Sequence, residues 1–426
     1  MNQPLLPRRQ AEEFRARNKG GVPAEVLAEA AVIVERVHSG GEEALREYAT
    51  RFEDCEPGAP LYLTGETLKK RLDELPEDER NSLERIVDRI RAFALSQRRA
   101  LAPVDRTVPG GRAGHRIDPV DAAGCYAPGG RYPLPSSVLM TVITARAAGV
   151  GSVWVASPRP APITLAAAAI AGADGVLAAG GAHAIAALAF GVGPIPPSDV
   201  VVGPGNLYVT AAKQLLAGQA QIDMLAGPSE LVVVADAAAN PAWVASDLLA
   251  QAEHDPDAVP ILISIDPELP SLVERELKRQ LENLPTAATA LAALANGGVI
   301  VCETEKDACL ACDDIAPEHL QLSVSNPEAW PDRLRHYGAL FIGERAAEVF
   351  GDYGLGPNHV LPTGGTARAR GGLSVMDFLR VRTWIRADSD LDPELIEDVA
   401  WFARQEGLEA HARAAEIRRG PGEPHS

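Results

Sequence analysis

Several segments of the sequence put nitrogen and oxygen side chains where they could bind a cation or move a proton. One is the predicted helix opened by Asn240–Pro241 and closed by Asp255–Pro256, with Asn suited to the cap and Pro to the first turn. Gln251 and His254 stand three residues apart near its end and project from one face. An amide oxygen and a neutral imidazole so placed could share a cation. They could equally be a polar helix end touching water, since Gln is not among the usual zinc ligands. A second segment, IAPEHLQL, sets Glu318 beside His319 between a predicted helix and a predicted strand. Histidine titrates near neutrality and a carboxylate can activate water, so the two read either as an acid–base pair or as a surface Glu beside a packing His.

The third segment, GDYGLGPNHVLPTGGTARARGGLSVMDFL, packs Gly351, Gly354 and Gly356 around Asp352, Asn358 and His359. Such glycine density implies a backbone that turns sharply toward something, with Asp352 available to a metal and His359 to a substrate. The fourth feature is a pair of Gly-Pro turns. VVVGPGNLYV reads as strand, turn (Gly203 to Asn206) and helix, a geometry that can offer backbone N–H groups to an anion, and DMLAGPSELVVVAD places Ser229 at a strand start. No G-x-G-x-x-G fingerprint, Walker loop, G-x-S-x-G, H-E-x-x-H or paired C-x-x-C is present. Cys309 and Cys312 fall in a helical pattern without a second pair, and read as core thiols.

The elements that must position these residues alternate. From Gly124 onward, buried strand patterns (GSVWVASP, DGVLAAGG, DVVV) alternate with helices, and from Glu230 a second series follows (ELVVVAD, AVPILISID, GGVIVCET, EHLQLSVS). Strand–helix alternation predicts parallel sheets with right-handed crossovers. The expected fold class is α/β: two Rossmann-like parallel-sheet domains plus small helical N- and C-terminal elements. Residues 1–21 are an N-terminal extension; 22–124 and 231–375 form the first α/β domain, with the metal and acid–base residues; 125–230 form the second; and 376–426 form a helical element ending in a disordered PGEPHS tail. The amphipathic helices of 22–101 are expected to pack on the 231–375 sheet.

The chain has 426 residues, with 40 Lys and Arg against 58 Asp and Glu, a formal net charge of −18. That balance argues against any nucleic-acid binding that needs a broad basic face. An odd count of five cysteines favours a reducing compartment. The charged N-terminus lacks the apolar core of a signal peptide, and the apolar run Ile163–Ala173 is too short for a membrane span. A cytoplasmic enzyme is expected.

In order along the chain, GPGNLYV, DMLAGPSE, DLLAQAEHD, IAPEHLQL, GDYGLGPNHVLPTGG, GLSVMDF and EGLEAHA resemble the histidinol dehydrogenase family, from about residue 25 to 417. The resemblance implies a homodimer with one zinc per subunit. It would use NAD twice, oxidising L-histidinol through a bound aldehyde to L-histidine, the last steps of histidine biosynthesis. It implies Gln251, His254 and Asp352 as zinc ligands from one subunit and His411 from the partner. Ser229, His319, His359 and Glu406 would line the substrate together with those ligands, with Glu318 and His319 as the acid–base pair. Tyr126, His183 and Asn206 fall where the family contacts NAD, although the family usually has Gln where His183 stands. The segments GGRYPLPSSVLMTVITARAAGV and FLRVRTWIR also look like relatives that oxidise other small alcohols, such as sulfopropanediol dehydrogenases. A non-catalytic zinc-binding protein on the same scaffold would have no use for Glu318 and His319.

Overall fold

Runs apolar at nearly every position, such as ELVVVA and VPILIS, suit strands covered on both faces, the setting of a parallel sheet. The computed structural model, which describes residues 4–17, 21–56, 58–129, 133–389 and 391–419, folds them that way. Its strands are β1 (Tyr62–Thr64), β2 (Val104–Val108), β3 (Gly111–Pro119), β4 (Ala122–Tyr126), β5 (Ser152–Ala156), β6 (Gly175–Leu177) and β7 (Val200–Val202). There follow β8 (Gln221–Ile222), β9 (Glu230–Ala235), β10 (Val259–Ser264), β11 (Gly298–Val301), β12 (His319–Ser323), β13 (Ala339–Ile342) and β14 (Leu379–Ala387). Residues 1–96 with 120–378 form one compact unit; residues 97–119 with 379–426 form another.

The larger unit holds the two expected parallel sheets. The first has the order β1-β6-β5-β4-β7-β8, parallel except for the antiparallel edge strand β1. The second has the order β11-β10-β9-β12-β13 and is parallel throughout. Apart from β1 the two share one winding pattern, as a diverged duplication would, and the winding reverses between β4 and β7 and between β9 and β12. Open parallel sheets bind ligands at the carboxyl ends of the strands flanking that reversal. In the first sheet those ends are Tyr126 and the turn from Gly203 to Asn206. In the second the crevice is sealed: Asp236, just past β9, accepts from the N–H and the hydroxyl of Ser325, just past β12, both at 2.8 Å.

Two expectations are corrected. The helix Ala24–Arg51 packs on the helices Gly181–Phe190 and Leu207–Leu216, not on the 231–375 sheet. Its stripe of Ala30, Val34, Val37, Leu45, Tyr48 and Ala49 joins the same core as Tyr126, Leu177 and Ile185. The reason is surface chemistry: Gly181–Phe190 is small and apolar all round, so it needs cover on its outer side as well as against the sheet. Only the extreme N-terminus serves the second sheet, where Leu6, Ala11 and Phe14 are buried. The second correction concerns the smaller unit. Here β14 pairs over nine residues with β3, and β3 with β2, in an antiparallel sheet where only helix was expected. Arg380, Arg382 and Arg386 alternate along β14, which is exposed at most positions and shows no apolar run to betray a strand. The helices Pro393–Gln405 and Glu409–Glu416 of this unit pack through Ala400, Ala403 and Ala412. The tail expected to be disordered lies outside the described residues. Among the described residues no helix is long and apolar enough to cross a membrane.

Candidate functional site

With its carboxyl crevice sealed, the second sheet presents chemistry at its amino edge. The helix Glu305–Ile315 ends on Ala316 (φ 53°), and the chain reverses through Pro317 so that Glu318 and His319 enter β12 beside Leu231 of β9. The neighbouring strand fixes this start, since the Ala339 N–H donates to the Glu318 carbonyl at 2.9 Å. A Cβ on Gly338 would lie 2.5 Å from that carbonyl oxygen, so only glycine fits there. The Glu318 carboxyl reaches back across the sheet: its Oε2 accepts from the Glu230 N–H at 2.9 Å, and the Ser229 side chain also bonds to it. His319 Nδ1 lies 3.1 Å from the Glu230 carbonyl oxygen. A carbonyl only accepts, so Nδ1 carries the hydrogen and Nε2 keeps its lone pair. That Nε2 is buried with no hydrogen-bond partner.

Other elements converge on this edge. Asn240 caps the helix Pro241–Ala252 by accepting from the Ala242 N–H, as its sequence predicts. In the last turn Gln251 is fully buried, and neither of its amide atoms has a partner. His254 follows just past the helix and lies near enough to His319 and His359 for its charge to act on both. Asp352 lies on the short helix Val349–Tyr353, with Glu348 at its head. His319, Glu348 and Asp352 bring ligand atoms within 4.8 Å of one another, among the described residues a group able to hold a metal ion. Sequence reasoning misses Glu348; the available signal is its position four residues before Asp352 on the same helix face. His359 follows with its Nε2 buried and unpartnered. Asn358 anchors that loop: its amide donates to the Met140 carbonyl at 2.9 Å and to Thr144 Oγ1 at 3.1 Å, and its Oδ1 accepts from the Val360 N–H.

Burial pushes every ionisable group here toward its neutral form. It raises Glu318 and Glu348 well above the ordinary carboxyl range, helped by neighbouring carboxylates, and raises Asp352 to about 6. It lowers His319 to about 3 and His359 to about 4. His254 keeps an exposed edge but stands in crowded surroundings, and is lowered as well. The charges acting on Glu318, His319, Glu348 and His359 are those of carboxylates and imidazoles. A set of imidazoles, carboxylates and one amide suits a divalent cation with mixed nitrogen and oxygen preference. An unpartnered buried amide such as that of Gln251 costs about 1–3 kcal/mol, which a cation taking its oxygen would offset.

The carboxyl edge of the first sheet holds Tyr126, His183 and Asn206. Gly203, at φ 109°, comes so close to β4 that a Cβ would lie 2.0 Å from the Tyr126 carbonyl oxygen. Lys213 and Asp223, both buried, clamp this turn. Lys213 pairs with Asp223 and donates to the Gly203 carbonyl at 2.9 Å; Asp223 accepts from the Gly203 N–H at 2.7 Å and from the Met224 N–H at 2.6 Å. Met224 starts the link from β8 to Ser229, so one carboxylate holds both the turn and the path to the other edge. Asn206 is exposed but turns its Oδ1 onto the N–H groups of Tyr208 and Val209, partly filling the N–H array that the sequence offered to an anion. His183 is only 2% exposed; its Nε2 lies 2.8 Å from Asp54 Oδ2, which also accepts from the Gly180 N–H. The buried Tyr126 hydroxyl accepts from the Gly181 N–H at 3.2 Å.

Glu406 and His411 belong to the smaller unit, where both side chains are exposed, Glu406 at the end of the Pro393–Gln405 helix and His411 on Glu409–Glu416. Cys309 and Cys312 are free thiols inside the core, as expected.

Residues 17–419 match the family model described as histidinol dehydrogenase. The histidinol dehydrogenase of Thermus thermophilus is 44% identical over 96% of this chain and 99% of its own, and that of Caulobacter vibrioides is 42% identical over 95% of each. The crystal structure of histidinol dehydrogenase from Elizabethkingia anophelis superposes with a TM-score of 0.91 at 30% identity, covering 98% of this chain and 99% of that one. With a family model matched over residues 17–419 and similarity running nearly end to end, the chain belongs to the histidinol dehydrogenase family.

Proposed function

We propose that the protein oxidises L-histidinol to L-histidine in two successive NAD-linked steps through a bound aldehyde, as a zinc-dependent homodimer in the cytoplasm, completing histidine biosynthesis. The observation that carries this reading is the buried His319 Nε2, a lone pair with no partner, on a ring whose Nδ1 lies 3.7 Å from Glu318 Oε2. Gln251, His254 and Asp352 would hold the zinc, with the partner subunit's His411 as fourth ligand, and Ser229, His319, His359 and Glu406 would line the substrate. Val381, Ile385, Trp401, Phe402 and Ile417 of the smaller unit are exposed, an apolar surface of the kind a partner subunit covers. When bound, zinc supplies a positioning charge for the substrate nitrogens and NAD supplies the hydride acceptor.

The chain's own residues do the proton chemistry. His319 takes the hydroxyl proton at Nε2 as the alcohol is oxidised, while Nδ1 stays bonded to the Glu230 carbonyl and keeps the ring aimed. Glu318 then takes a proton from the water that adds to the aldehyde, and His319, once it has released its first proton to solvent, serves again as the resulting diol is oxidised. Of the residues assigned to the cofactor, Asn206 faces solvent and would contact it directly, whereas the buried His183 and Tyr126 would support the Gly180–Gly181 turn from behind. A relative acting on a sulfonated diol would need cations around its sulfonate. The charges felt in this site are carboxylate and imidazole, and the Arg368 guanidinium is tied to the carbonyls of Asp313 and Asp314. An imidazole and an amine suit such surroundings better.

The direct test is histidinol-dependent NAD reduction before and after chelation. Two NAD are expected to be reduced per histidinol, with turnover lost on chelation and restored by zinc; metal-replete protein inert toward histidinol but active on a sulfonated diol would support the rival. A second expectation concerns the Gly203 clamp. Asp223→Asn strands the buried Lys213, and KM for NAD is expected to rise about tenfold, the equivalent of ~1.4 kcal/mol. KM for histidinol and zinc content should stay unchanged. Removing one partner of a buried pair costs about 3–5 kcal/mol, so the charge-free double variant Lys213→Met/Asp223→Leu should regain stability yet keep the raised NAD KM. A double variant with wild-type NAD kinetics would reduce the pair to packing.

A further inference from the structure

Glu348 is the one group of the carboxylate–imidazole cluster to which the reading above gives no task. It is 2% exposed, and both of its carboxyl oxygens are buried without a hydrogen-bond partner. Its Oε1 stands 3.6 Å from His319 Nδ1, and that hydrogen is already directed to the Glu230 carbonyl. The backbone delivers this side chain: the Glu348 carbonyl starts the short helix by accepting from the Gly351 and Asp352 N–H groups, and a Cβ on Gly351 would lie 2.7 Å from the Phe341 ring, so glycine lets the helix close onto β13. A buried carboxyl with two idle acceptors is expensive, and a site that keeps one has a donor or a cation in view.

Geometry narrows what that partner is. Glu348 and Asp352 bring ligand atoms together with His319, and Glu318 lies against the same imidazole. A divalent ion held by this cluster takes lone pairs but brings no hydrogen, so the two idle oxygens of Glu348 call for N–H donors. Resting on the assignment of histidinol as substrate, we propose that Glu348 is a substrate-binding residue that accepts from the primary amine of the amino alcohol and so selects amino alcohols over alcohols lacking that amine. An amine that also binds a metal keeps N–H donors, so the two contacts are compatible.

The test compares wild type and Glu348→Gln, each with L-histidinol and with 3-(imidazol-4-yl)propan-1-ol, the same molecule without its amine. Calorimetric binding to metal-replete protein in the absence of NAD is one readout; kcat/KM is the other. Glu348→Gln is expected to weaken histidinol on the order of 10- to 100-fold, the loss of one charge-assisted bond. The amine-free alcohol should change less than about threefold, a small packing difference. Equal losses for both alcohols, no loss for histidinol, or loss of zinc from the variant would each overturn the proposal. Folding is followed by thermal unfolding, where removal of an unpaired buried acid should leave Tm unchanged or raised. Should the Gln variant fail to fold, Glu348→Asp keeps the charge but withdraws it, and the same selective loss is expected in smaller measure. Wild type inert toward histidinol would indict the substrate assignment, whereas active wild type with an indifferent Glu348→Gln indicts Glu348 alone.

Discussion

His319→Asn is expected to abolish nearly all turnover, lowering kcat for both oxidations by about 10²–10⁴, the usual contribution of a positioned general base. Asparagine can still donate toward the Glu230 carbonyl and fill much of the ring's space, so β12 should keep its register and the protein its zinc. What it lacks is the lone pair that His319 directs from Nε2. Burial lowers His319 to about 3, so the ring is already a free base at neutral pH and need not lose a proton before the reaction starts. The Glu230 carbonyl, 3.1 Å from Nδ1, favours the imidazolium formed as the alcohol proton arrives. Single-turnover measurements starting from histidinol and from histidinaldehyde separate the two steps. Both should slow together; a variant within tenfold of wild type in either step would remove His319 from it.

Much of this site could be read from the sequence because local chemistry and local structure agree there. Asn240–Pro241 announces a helix start, and Gln251 and His254 fall at its far end. IAPEHLQL places a helix stop and a buried strand around Glu318–His319. Two features were hidden for the opposite reason. Glu348 is one acid in an exposed-looking ERAAEVFGDY run, and its burial comes only from the approach of the Val349–Tyr353 helix to β13, a tertiary event. The edge used by the second sheet was equally invisible. Both sheets share one winding, yet Asp236 and Ser325 bridge one reversal point while the Gly203 turn packs closely on β4 at the other, and no periodicity distinguishes them. Likewise His183 reads as a Gln replacement in a cofactor turn, but its partner Asp54 lies 129 residues earlier.

Glu318→Gln should divide the reaction where His319→Asn does not. On the proposed mechanism the first oxidation needs a base for the alcohol proton, the task assigned to His319. Hydration of the aldehyde needs a base for water, and the side chain adjoining the reacting carbon's acid–base partner is Glu318. Gln keeps an oxygen able to accept from the Glu230 N–H, the 2.9 Å bond that holds Glu318 in place, so geometry is preserved while basicity is lost. The aldehyde-to-acid step is expected to fall by about 10²–10⁴, with the first hydride transfer within about tenfold of wild type. One NAD should then be reduced rapidly per site, followed by a slow second. A stability readout comes with it. Burial and neighbouring carboxylates raise Glu318 well above its ordinary range, so it activates water only as pH rises through that raised value, and below it the wild-type fold binds a proton that the unfolded chain has released. Folding stability from this group is therefore present below the ordinary carboxyl pKa and is lost as pH rises toward the raised value. A neutral Gln escapes that loss, so the Tm of Glu318→Gln relative to wild type should climb as pH rises above the ordinary carboxyl range. A variant that slows both oxidations equally, or whose relative Tm is flat with pH, would show that Glu318 supports the strand start and does not activate water.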